Sequence, residues 1–133
     1  MPIKVNMHKP TLRKISRRLK AISDPTRIKI LVLLSERPSC VCELTAALGL
    51  AQPTISRHLK QLENEGFIKG RRESNWIIYR ISPVEECCSQ LLDIVIVRAE
   101  QDPEVQEIKN HFISLNRAYV AGDSVVGVKE VVT

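Results

Sequence analysis

The chain has 133 residues, 44% of them hydrophobic, enough for one domain with a real core and too many apolar residues for a disordered chain. No apolar run approaches the ~20 residues of a membrane span and no signal-peptide core follows the basic N-terminus, so a cytoplasmic protein without membrane contact is expected. The net charge of +5 is split: residues 1–82 carry sixteen Lys/Arg against six Asp/Glu, residues 83–133 four against nine, and the basic part implies a polyanionic partner such as double-stranded DNA.

Residues 1–10 hold two prolines and little pattern and read as a flexible arm. Thr11 can cap a helix in which Leu12, Ile15, Leu19 and Ile22 form one apolar stripe. Arg13, Lys14, Arg17, Arg18 and Lys20 occupy its other face, either solvated or on phosphates. Asp24 as cap and Pro25 at the first helical position open a second helix. Its residues Ile28 and Ile30–Leu34 are apolar nearly all round, which places it in the centre of the core, and Pro38 ends it.

The stretch Cys40–Phe67 predicts two short helices about one tight turn. Val41, Leu44 and Leu48 give the first its buried stripe, and Gly49 supplies its left-handed terminus. Gln52 and Pro53 open the second, with the proline at the first helical position. Ile55, Leu59 and Leu62 make its stripe, and Gly66 closes it. At ~100° per residue, Thr54, Ser56, Arg57, Lys60 and Gln61 point away from that stripe. This is a helix-turn-helix with a donor-rich outer face. Phe67–Gly70 and Trp76–Ile81 are rich in strand formers and flank a polar tip, Arg71–Asn75. A basic hairpin directly after a helix-turn-helix is the wing of a winged helix.

From Val84 a further helix carries Val84, Cys87, Cys88, Leu91, Leu92 and Val95 on one wide stripe. Asp102-Pro103-Glu104 starts a last one with Val105, Ile108, Phe112 and Leu115 buried. The expected fold is mainly α with a small β-hairpin (α+β): a winged helix-turn-helix. The expected divisions are the arm, a DNA-binding and dimerisation domain over 11–99, an additional C-terminal helix within 100–118, and a disordered tail over 119–133. The apolar faces of the first helix and of the helix from Val84 lie outside the helix-turn-helix core, so a homodimer that buries both is expected. Two recognition helices one turn of DNA apart then read a palindromic operator. Gln52, Thr54, Ser56, Arg57 and Lys60 are the candidate groove contacts, Arg57 suited to guanine and Gln52 to adenine. Arg71 and Arg72 are placed for phosphates or the minor groove. His58 sits at the edge of the stripe as a hydrogen-bonded boundary residue; His8 and His111 carry no signal.

Leu19–Ile81 resembles the ArsR/SmtB family of winged-helix metal-sensing repressors. The matching motifs are Ile22-Ser23-Asp24-Pro25-Thr26-Arg27, Cys40-Val41-Cys42-Glu43-Leu44, Gln52-Pro53-Thr54-Ile55-Ser56-Arg57-His58-Leu59, and the strand Trp76–Ile81. The resemblance implies a homodimer that leaves its operator when an ion or other effector binds. The Cys-Val-Cys element is most similar to the arsenical-resistance branch, where a third cysteine follows; here Thr45 stands at that position. The cadmium- and lead-sensing branch adds an N-terminal cysteine that this arm lacks. The zinc-sensing branch uses Asp and His pairs on the later helix, where this chain has Asp93 followed by Val95 and, from there, no histidine until His111.

In the expected compartment the four cysteines read as thiols or metal ligands rather than structural disulfides. On a regular helix Cys40 and Cys42 point ~200° apart and cannot grip one ion unless the helix start loosens. Soft thiolates suit soft ions, and the resemblance to the arsenical-resistance branch implies arsenite or antimonite as the regulatory ligand. Cadmium, lead or zinc ions and thiol oxidation are the alternatives, and no cofactor is expected to be permanently bound. Cys87 or Cys88 is the candidate third ligand; otherwise both serve as small apolar residues of the dimer interface. An architectural DNA-binding dimer with inert cysteines is a competing reading. An enzyme is not expected, because there is no Cys-x-x-Cys at a helix start, no cofactor loop and no catalytic carboxylate pair.

Overall fold

The computed structural model describes residues 10–115; the expected tail lies outside them, as does the arm apart from Pro10. Six helices and three short strands follow in order: α1 (Leu12–Ala21), α2 (Pro25–Glu36), β1 (Ser39–Cys40), α3 (Val41–Leu48), α4 (Gln52–Asn64), β2 (Ile68–Glu73), β3 (Trp76–Ile81), α5 (Glu86–Ala99) and α6 (Pro103–Ile113). The fold is the expected winged helix-turn-helix, mainly α. Its sheet has three strands rather than two, because β1 adds to the hairpin in the order β1-β3-β2. None of the described helices is long and apolar enough to cross a membrane.

The helix starts are set locally. The Thr11 hydroxyl accepts from the Lys14 amide, and Asp24 Oδ2 accepts from the Arg27 amide at 3.0 Å with Pro25 in the first turn. Each satisfies an amide that the helix itself leaves without a partner. Ile30, Leu31, Val32, Leu33 and Leu34 of α2 are all buried, as a helix apolar on every side demands. Around it close Leu44, Ile55, Leu59, Leu62, Phe67, Leu92 and Phe112. Gly49 ends α3 with φ +68. The α4 cap is Ala51, so Pro53 takes the second helical position rather than the first.

Three further expectations are corrected. The hairpin tip is shorter than Arg71–Asn75: Arg71, Arg72 and Glu73 pair with Ile78, Ile77 and Trp76, leaving Ser74 and Asn75 as a two-residue turn. Backbone pairing tolerates charged side chains on an exposed strand, so composition overstated the loop. The helix expected from Val84 starts at Glu86, and Val84 stays outside it, 65% exposed. Cys88 and Leu92 face this chain's own core, while Ile94 and Val97 on the other side of α5 are exposed. Finally, Arg18 is buried and ion-paired with Glu85, so it is withdrawn from any phosphate-binding face.

Candidate metal centre and nucleic-acid interface

The cysteine element lies where β1 runs into α3. Cys40 is not helical: it is the α3 N-cap, extended at φ −90 and ψ 168. That conformation removes the obstacle expected from helical spacing. With its Cα 5.4 Å from that of Cys42, Cys40 reaches its neighbour, and the structure joins the two sulfurs as a disulfide. The expectation of four unlinked cysteines is therefore corrected for this pair, because a residue just before a helix is free of the ~100° step.

Two further side chains fix the element. The Glu43 carboxylate, 1% exposed, accepts from the Cys40 amide at 3.1 Å, from the Ser39 hydroxyl at 3.1 Å and from Arg37 Nη1 at 2.6 Å. Arg37 donates through Nη2 to the Phe112 carbonyl at 3.2 Å and lies 4.1 Å from that ring's centroid. Three donors on one buried carboxylate fix its position and, through it, that of the Cys40 backbone. Glu43 stands three residues after the cap, the spacing of a capping box, and that spacing was the signal by which the sequence could have yielded it. Arg37 carried no such signal. Thr45, where the arsenical-resistance pattern would place a third cysteine, has a buried hydroxyl without a hydrogen bond.

Cys87 and Cys88 remain free thiols at the start of α5. Cys88 Sγ lies 3.8 Å from the Glu65 carbonyl beyond α4, and burial pushes its thiol up despite the nearby Arg18 charge. The structure thus brings Cys40 to Cys42 and leaves Cys87 and Cys88 on another element. Among the described residues no group of three or more His, Cys, Asp or Glu is gathered for a metal ion. The chemistry available at the α3 start is that of two sulfurs.

The helix-turn-helix follows directly. Gln52, Ser56, Arg57 and Lys60 are exposed along one face of α4, and Thr54 is half-buried beside them. No side chain caps α4 and no acidic residue lies in its first turn, which leaves the positive end of the helix open to an anion. Arg71 and Arg72 are exposed on β2. Arg27 holds α4 against the rest: it donates to the Ala21 and Lys20 carbonyls from Nε and Nη2, and through Nη1 to His58 Nδ1 at 3.1 Å. Burial pushes the His58 imidazole below its ordinary value. The Arg27 and Arg57 charges add to this and Asp24 opposes it.

Residues 24–69 match the family model described as bacterial regulatory protein, arsR family. The arsenic resistance transcriptional regulator ArsR1 of Pseudomonas putida is 48% identical over 65 residues, covering 48% of this chain and 51% of that protein, so the match spans about half of that relative's length. The arsenical resistance operon repressor of Escherichia coli is 37% identical over 107 residues, 79% of this chain and 87% of that protein. Among solved structures, the homodimeric winged helix-turn-helix DNA-binding domain of a possible ArsR-family transcriptional regulator from Mycobacterium bovis superposes with a TM-score of 0.59. It is 28% identical, and the alignment covers 77% of this chain and 94% of that one.

Proposed function

This chain belongs to the arsR family of bacterial regulatory proteins, and from that premise we propose that it is a homodimeric repressor released from its operator when arsenite or antimonite binds Cys40 and Cys42. The observation that carries the reading is the meeting of those two sulfurs at the start of the helix leading into α4. Once a thiol reductant has passed two electrons and two protons to the Cys40–Cys42 disulfide, arsenite reacts with the two thiols by exchanging two As–O bonds for two As–S bonds. The thiol protons leave with the displaced hydroxides as two waters. The remaining valence keeps its hydroxide or takes a third thiolate, and Cys87 or Cys88 of the same or the second chain is our candidate.

Capture places an atom between two sulfurs that otherwise reach each other. Cys40 must then move against Cys42, and α3 packs directly on α4. A bias of ~3 kcal/mol toward the displaced arrangement lowers DNA affinity roughly a hundredfold. The DNA side consists of Gln52, Thr54, Ser56, Arg57 and Lys60 in the major groove and Arg71 and Arg72 at the wing, repeated on a palindromic operator. Leu12 and Leu19 on α1 and Ile94 and Val97 on α5 are apolar and exposed, which supports a dimer through these helices.

The disulfide itself favours a second reading, oxidation. Two thiols would pass two electrons and two protons to a peroxide, leaving a disulfide and two waters. An operator-binding titration decides between these readings, run with arsenite, antimonite, cadmium, lead, zinc and peroxide, and repeated with each cysteine replaced by serine. Release of the wild type by arsenite and antimonite at the lowest doses, lost in Cys40→Ser and in Cys42→Ser, is the expected result. Release by peroxide alone would favour oxidation, and indifference to every agent would leave an architectural DNA-binding dimer.

A further inference from the structure

We propose that the thiol pair controls the wing as well as the recognition helix. The inference rests on the thiol-release reading above. Cys40 is both the N-cap of α3 and the last residue of β1, and β1 is paired along the central strand β3. Within that ladder Cys40 lies opposite Ile78, and across the other edge of β3 Ile78 lies opposite Arg71. One row of the sheet therefore runs Cys40, Ile78, Arg71, spanning about 10 Å at the usual strand spacing.

Cys40 and Ile78 are 3% and 1% exposed. In a close-packed interior neither can shift alone; a displacement is passed to its neighbour. An ion seated between the sulfurs has two bodies to push. Cys42 is embedded in the first turn of α3, so its share of the motion goes to α3 and α4. Cys40 is tied to Glu43 on one side and to β3 on the other, so its share goes into the hairpin. Arg71 and Arg72 then leave their place on the DNA at the dose that turns α4 away. A single binding event acts on both contacts that the winged helix makes with the duplex.

Trp76 is the only tryptophan in the chain and lies two residues before Ile78 on β3. The full-length protein, free of DNA, is titrated with arsenite while Trp76 emission and amide hydrogen exchange over residues 68–81 are followed, alongside operator release. The expected result is a change in emission, exchange or both, exchange rising several-fold, that saturates at the dose releasing the operator and is absent from the C40S/C42S variant. Operator release with Trp76 and the hairpin amides unmoved would overturn the wing proposal and leave the thiol-release reading standing. Failure of arsenite to release the wild type would overturn that reading, and the wing proposal with it.

Discussion

Arg17 and Arg18 are adjacent on α1 and belong to different energetic worlds. The Arg18 side chain is 5% exposed and paired with Glu85, whereas that of Arg17 is 51% exposed and 3.6 Å from Glu65. Removing one partner of a buried pair strands the other charge, so Arg18→Ala is expected to cost about 3 kcal/mol. Arg17→Ala should stay within about 1 kcal/mol, and urea unfolding of both variants checks the contrast. His58 gives a pH dependence whose sign follows from its surroundings. Its folded pKa lies below the ordinary 6.5, so the unfolded chain takes up the proton first and protonation favours unfolding. The stabilising contribution is complete above pH 6.5 and is lost as pH falls below it toward the depressed folded value. His58→Asn keeps an acceptor for Arg27 and cannot titrate, so its urea midpoint should fall less than that of the wild type between pH 7.5 and 5.5. The boundary role of His58 was legible from its place beside the apolar stripe. The burial of Arg18 was not, because a lysine- and arginine-rich helix face gives no sign of which cation finds a carboxylate 67 residues away.

Elements with a chemical start and stop were read correctly: Thr11, Asp24 and Asp102 each cap a helix, and Gly49 ends one. β1 escaped because two residues, Ser39 and Cys40, are too short for any alternation to register. It nevertheless decides the geometry of the cysteine element, since a residue pinned in a strand cannot continue the helix backwards. The candidate DNA-contact positions were therefore legible at the level of which face they occupy, while the conformation of Cys40 was not. Gly66 is the element-level test. Its φ is +85, and an added Cβ would stand 2.4 Å from Val84 Cγ1. Gly49 also has a positive φ but open space around it. Gly49→Ala should cost about 1 kcal/mol in backbone strain alone. Gly66→Ala is expected to cost more, because Val84 must also be pushed aside at the junction of α4, the wing and α5, and chemical denaturation of the two variants measures the difference.

For the whole molecule, apolar residues are left exposed on α1 and α5, and on the reading proposed above these meet a second chain while α4 and the wing meet DNA. Ile94→Asp combined with Val97→Asp places charge in that proposed interface. The variant should sediment as a monomer and lose more than tenfold in operator affinity, since each half-site must then be bound alone; an unchanged dimer would place the interface elsewhere. The central claim concerns two sulfur atoms and is tested most directly by dosing the operator complex of the C40S/C42S double variant with arsenite and following release by fluorescence anisotropy. The account predicts that the variant stays on the DNA at doses that free the wild type completely. Release of both proteins at the same dose would contradict it.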